Sequence, residues 1–271
     1  MPNAAIYPEV IPFMKKHNID GIFLNYTWGF NQKDLSFLED FGFIKRLSIL
    51  SWTINDISPI HLLTNLESLT LQTSDKTPID FTVFKSLKYC SFYWQLGRET
   101  VFDINSLEHL SIQNLKEDNL LRFHKLSNLK HLTIANNRRL QSLEGIDSLR
   151  SLRSVEMHYL PKLEELDPIE KCEELTSIAF GNCKKISSLT PLQALRKLKR
   201  LNLVNMGVID SITPLQELRL IEHLSIYGDT RIQDGDLSTI YEFKNLKRLI
   251  LTNKRGYSHK RKKIVEDLGL L

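Results

Sequence analysis

The spacing of leucine and isoleucine between residues 129 and 243 leaves few folds open to this chain. Five segments begin at Leu129, Leu152, Leu175, Leu198 and Ile221, each 23 residues after the last. Three positions on lie Leu132, Val155, Ile178, Leu201 and Leu224, and two further on Ile134, Met157, Phe180, Leu203 and Ile226. A fixed period of this length means stacked repeats, each burying its apolar face on its neighbours.

The same frame extends to both sides. Ile19-Ile22-Leu24, Ile44-Leu47-Ile49, Leu66-Leu69-Leu71, Leu87-Cys90-Phe92 and Leu107-Leu110-Ile112 precede the regular run, and Leu246-Leu249-Leu251 follows it, for about 11 repeats. The early spacing drifts, from 25 residues (19 to 44) down to 20 (87 to 107). Within each unit the centre alternates polar and apolar, the period of a strand, so each unit supplies one short strand pairing in parallel with the next at about 4.8 Å. Apolar residues then recur every third position, as in Leu140, Leu143, Ile146 and Leu149, which suits a 3₁₀ or short helical return. Pro168, Pro191 and Pro214 share one place in the period, where proline presets φ for the start of that turn.

These units resemble the leucine-rich repeat, and their 22- to 23-residue length is similar to the bacterial internalin type. Thr-Pro-Leu-Gln-Ala-Leu at 190–195 and Thr-Pro-Leu-Gln-Glu-Leu at 213–218 carry the resemblance best, with Ile57-Ser-Pro-Ile60 a weaker echo. It covers roughly residues 19–253. It implies an α/β leucine-rich-repeat solenoid: a curved right-handed coil, parallel strands on its concave face, and 3₁₀, short helical or irregular returns on its convex face. One departure stands out. The family usually places Asn or Cys three residues after the last strand leucine; Asn137 and Cys183 fit, whereas Trp52, Leu115, Leu160 and Met206 do not. Asn114, Asn136, Asn182, Asn205 and Asn253 sit one residue earlier. The internal polar ladder is therefore expected to be patchy or displaced.

The whole reads as one domain in three parts. Residues 1–18 fall outside the repeat and, with Val10, Ile11, Phe13 and Met14, are expected to form a helical N-terminal cap. The repeats occupy 19–253. Residues 254–271 are a basic segment followed by an amphipathic capping helix bearing Ile264, Val265, Leu268, Leu270 and Leu271. Leu96 to Phe102, in the least regular coils, is expected to protrude as a loop.

Composition narrows function mainly by exclusion. With 36 basic and 32 acidic residues the net charge is only +4, which does not point to nucleic acid. Three early prolines and Glu9 break up the N-terminus, so no secretory signal is expected, and no apolar run reaches the length of a membrane span. The odd set Cys90, Cys172 and Cys183 reads as reduced core thiols, hence a cytoplasmic protein. No nucleophile elbow, phosphate loop or paired-cysteine zinc motif is present, so no enzyme activity, cofactor or metal is expected. Glu164, Glu165, Asp167, Glu170, Glu173 and Glu174 lie just before Lys184, Lys185, Arg196, Lys197, Lys199 and Arg200, and are expected to compensate them on the surface.

Function should therefore lie in the residues between the leucines. The candidates on the concave face are Tyr89, Tyr93, Trp94, His109, Gln113, His131, Glu156, His158, Tyr159, Arg200, His223 and Tyr227. Tyr, Trp and Arg are the usual anchors of protein interfaces. His109 and His131 would be column neighbours, but they lack the further ligands zinc needs. The expectation is a non-enzymatic module, a monomer when free, that binds a protein partner. More narrowly it is an inhibitor or immunity-type protein of bacteria that neutralises a toxin or enzyme. The alternative is a secreted or host-directed effector or adhesion module.

Overall fold

A computed structural model describes residues 7–270; residues 1–6 of the expected N-terminal cap, and Leu271, lie outside the described residues. The chain divides into two compact units, one running to Gln113 and one from Asn114.

In the first unit a helix, α1 (Tyr7–Lys16), precedes five strands: β1 (Gly21–Asn25), β2 (Arg46–Ser51), β3 (Ser68–Thr73), β4 (Tyr89–Tyr93) and β5 (His109–Gln113). They pair in parallel in chain order and in register, so Leu47 lies beside Leu69 and Cys90 beside Leu110. Those four side chains are fully buried, and each contributes on the order of 1.5–3 kcal/mol through lost apolar surface. The strands are linked by 3₁₀ turns such as Ser58–Leu62 and Phe81–Val83. An aspartate two residues upstream caps several of them. Asp56 Oδ1 accepts the Ser58 N–H at 2.8 Å, and Asp80 Oδ1 accepts that of Thr82 at 2.9 Å. Short acceptor side chains satisfy backbone donors that the turn itself leaves open.

The second unit repeats the plan with fewer deviations: β6 (His131–Ala135), β7 (Ser154–His158), β8 (Ser177–Gly181), β9 (Arg200–Val204), β11 (His223–Tyr227) and β13 (Arg248–Leu251) pair in parallel and in register. Pro168, Pro191 and Pro214 each occupy the second residue of a 3₁₀ turn, as their recurrence predicts. The return side also holds strand that the three-residue spacing did not predict, since β10 (Val208–Ile209) pairs with β12 (Arg231–Ile232). A helix, α2 (Arg261–Asp267), follows, with Ile264 fully buried. Gly145 is irreplaceable by geometry: its φ is +96°, and an added Cβ would lie 2.6 Å from the Leu120 carbonyl carbon.

The two units leave their strands differently. In the second, Asn114, Asn136, Tyr159, Asn182, Asn205 and Gly228 all have φ between 52° and 74°. Asparagine and glycine tolerate the left-handed region best. Asn114, Asn136, Asn182 and Asn205, which sit one residue early, are thus backbone pivots, not a displaced ladder, whereas Asn253 instead accepts the Arg261 N–H at 2.8 Å. The ladder itself is patchy. Asn137 is buried, accepts the Arg139 and Leu140 N–H groups at 2.7 and 3.1 Å, and donates to the Glu117 carbonyl at 2.9 Å. Cys183 Sγ lies 3.5 Å from the Met157 carbonyl, and Thr230 Oγ1 accepts the Met206 N–H at 3.1 Å. Leu160 and Met206 fill the remaining places with apolar bulk.

In the first unit the inward alternation runs one step further. After Leu47 and Ile49 comes Ser51, after Leu69 and Leu71 comes Thr73, and after Cys90 and Phe92 comes Trp94, all buried. The segment expected to protrude folds back for the same reason. Leu96 is exposed, yet Arg98 is wholly buried, with its guanidinium 3.3 Å from Asp75 Oδ2 and donating to the Tyr93 carbonyl at 2.8 Å. Arg98 Nε and Thr73 Oγ1 have no hydrogen-bond partner. Val101 and Phe102 complete the burial, so the expected loop is core.

Candidate protein-binding face

The first, third and fifth residues of each strand point away from the core, and in both units they form three columns on the open side of the sheet. On the first unit that side is aromatic. Phe23 projects from β1 and meets Trp28 edge-on at 4.9 Å, and Trp28 is 71% exposed. Trp52, just beyond β2, lies 5.9 Å from Tyr93 at the end of β4. Tyr89 is exposed and packs 5.9 Å from His109, while Gln113 is half-buried at the end of β5. Exposed aromatics brought together in this way are unusual on a surface with no partner. Trp94 is a correction. It is 7% exposed and lies between Phe92 and Phe102, at ring distances of 6.4 and 5.5 Å. As the inward equivalent of Ser51 and Thr73, it faces the core and cannot meet a partner.

On the second unit the open side is a trough of about 630 Å³ lined by both charged and apolar side chains. Its floor is low where β8 contributes Ala179, and the His158 ring takes the space beside Gly181. Glu156 and His158 stand on one flank, 4.0 Å apart. Arg200, His223 and Tyr227 stand on the other, joined by Arg248, Asn202 and Ile250. His131 is half-buried at the start of β6. Among the described residues no group of three His, Cys, Asp or Glu side chains is placed to hold a metal. All three cysteines are free and buried. Burial pushes the Cys172 thiol up to about 12 and that of Cys183 to about 11, and Cys90 is raised further still by burial. Thiols held protonated in this way are poor nucleophiles.

No family model matches the chain, and no curated protein matches it in sequence. Solved structures do match. An internalin (inlF) from Listeria monocytogenes superposes with a TM-score of 0.60 at 18% identity, covering 88% of this chain and 74% of its own. Internalin C2 of the same organism gives 0.51 at 22% identity, over 79% and 83% of the two chains. The chain has the leucine-rich-repeat fold of the internalins. A third match, the functional domain of InlJ from Listeria monocytogenes, which includes a cysteine ladder, has a TM-score of 0.54 at 13% identity over 87% of this chain and 58% of that one.

Against that leucine-rich-repeat frame, Tyr159 is the outlier. It holds φ 57° where every equivalent position in its unit is Asn or Gly, and its side chain is 57% exposed. A bulky aromatic in the left-handed region is strained, and nothing buried compensates it. The charged coils compensate one another as expected. Lys185 pairs with Glu164 at 3.2 Å, Lys197 with Glu174, and Lys171 with Asp147 at 3.5 Å. Exposed pairs of this kind add little stability. Sequence reasoning missed Trp28 and Trp52 as face residues. The two tryptophans lie outside the leucine frame, and a large apolar residue in neither a core nor a cap position was the available signal.

Proposed function

We propose that this is a non-enzymatic protein that binds another protein across the open side of its strands. The observation that carries the reading is the aromatic rim of the first unit: Phe23, Trp28, Trp52 and Tyr93, in touching pairs. Rigid aromatic side chains give large contact area at low entropic cost, and they dominate interface energies. The narrower reading is an inhibitor of the immunity type, acting in the bacterial cytoplasm by covering the working surface of a toxin or enzyme. It rests on the same rim, since occlusion requires only tight placement and no chemistry from the inhibitor.

Capture of partners from native lysate of the source cells, followed by mass spectrometry, tests the reading. One protein should be retained stoichiometrically by the wild-type chain and lost with Trp28→Ala/Trp52→Ala, with equimolar addition suppressing that partner's activity. Retention of no stoichiometric partner would refute the binding role. A partner whose activity is unchanged would refute inhibition alone.

A further inference from the structure

The charge of the second unit's trough carries a statement about what lies in it. Arg200, His223 and Arg248 begin β9, β11 and β13, and the register sets them side by side in that order. Parallel neighbours are about 4.8 Å apart, so the two guanidinium groups stem from backbones about 10 Å apart with an imidazole between them. The two guanidinium charges repel across the intervening strand, and a sheet gains nothing from such a column by itself. The next column does not cancel it. Glu222 is the near carboxylate, and it is already shared by Lys247 at 2.7 Å and Lys199 at 3.8 Å. Among the described residues neither Arg200 nor Arg248 has an ion-pair partner. Arg46 shows the contrast: it holds the same column position in the first unit and is paired with Asp20.

We infer that the trough binds an acidic polypeptide segment of the partner, with at least two carboxylates meeting Arg200 and Arg248. Arginine presents a planar fork that takes a carboxylate through two parallel N–H donors. The rest of the trough favours polypeptide over nucleic acid. Val204 and Ile250 are apolar and half-buried, suited to aliphatic side chains between the acids. Tyr227 is the single Phe, Tyr or Trp of the lining, so there is no succession of large rings on which bases could stack. Glu156 on the opposite flank would repel a uniform phosphate backbone, whereas a polypeptide can place a basic or neutral residue there. The inference rests on the protein-binding reading and specifies the partner's chemistry at one site.

The test is fluorescence anisotropy of a labelled peptide of alternating glutamate and alanine with the full chain at low and moderate salt. Binding should weaken as salt rises, and Arg200→Glu/Arg248→Glu should weaken it by about tenfold or more, since each reversal turns an attraction into a repulsion. Arg200→Gln/Arg248→Gln should have a smaller effect in the same direction, and Trp28→Ala/Trp52→Ala none. Circular dichroism melts verify that both arginine variants fold. Peptide binding that is absent at low salt, or that survives both arginine variants, overturns the inference. So does oligo-dT of matched charge that binds as tightly through the same two arginines. The probe needs no natural partner, so its failure leaves capture through the aromatic rim standing. Conversely, failed capture with intact peptide binding would remove the proposed function alone.

Discussion

The buried Arg98–Asp75 pair invites a double-substitution cycle. Both side chains are fully shielded from water, and the guanidinium reaches the carboxylate at 3.3 and 3.4 Å. Burial lowers the pKa of Arg98, and Asp75 acts against that shift, so the pair depends on its partner's charge. Asp75→Leu leaves a guanidinium in the core with only the Tyr93 carbonyl as acceptor. The cost of an uncompensated buried charge is about 3–5 kcal/mol. For a chain of this size that corresponds to a fall in Tm of about 10 °C. Arg98→Met should cost less, because Asp75 keeps the Thr77 N–H at 2.9 Å. The double variant Asp75→Leu/Arg98→Met should come back to within about 1 kcal/mol of the parent, since the native pair is imperfect and Arg98 Nε has no partner at all. Urea unfolding of the four proteins at neutral pH gives the coupling energy directly. If Asp75→Leu cost less than about 1 kcal/mol, or if the single effects simply summed, the charge would not be buried and the argument would fail.

Three further outcomes follow from local geometry. Tyr159→Asn should raise stability by about 0.5–1 kcal/mol, by relieving the left-handed strain while losing only part of a half-exposed ring, and thermal melts showing no gain would remove the strain argument. Asp56→Ala should cost about 1 kcal/mol at neutral pH through the lost turn cap. The hydrogen bonds from Ser58 hold the Asp56 carboxyl below its ordinary value, so its stabilisation is complete above the unfolded pKa of 3.8 and is lost as pH falls through the lower folded value. The gap between the unfolding curves of parent and variant at pH 7 should therefore close in acid, and a constant gap would contradict the assignment. Cys90, Cys172 and Cys183 should resist iodoacetamide in the native protein and react on unfolding, and rapid native labelling at any of them would show that its thiol is neither buried nor protonated.

The leucine frame was legible because stacking requires it. A coil that lost Leu201 or Ile178 would open a cavity beside both neighbours, so the period itself states which residues are inside. The turn prolines were legible for a similar reason, since φ near the start of each return suits their ring. The parity of the residue just after the strand was harder. It depends on whether the chain turns left-handed at once, as at Asn136 and Asn182, or continues extended, as at Thr73 and Trp94. The asparagines announced the first choice, and their absence from 51, 73 and 94 announced the second. That contrast alone does not place Trp94 in the core, because Tyr159 turns left-handed without an asparagine. Arg98 was hidden differently: a charged residue in an irregular coil reads as surface until its partner is found, and that partner lies one repeat away, at Asp75.

The open side could not be read in this way, because the repeat constrains only what it buries. The period leaves Arg200, Arg248, Trp28 and Trp52 unconstrained, so the fold alone gives no reason for two unpaired arginines flanking one strand or for exposed tryptophans. Each feature costs solubility or electrostatic energy in the free chain. Residues that the scaffold does not require, and that burden it when nothing is bound, are where a partner's chemistry should be sought. That reasoning assigns apolar recognition to the first unit and charge recognition to the second. It requires that variants in one unit leave the probe of the other unaffected.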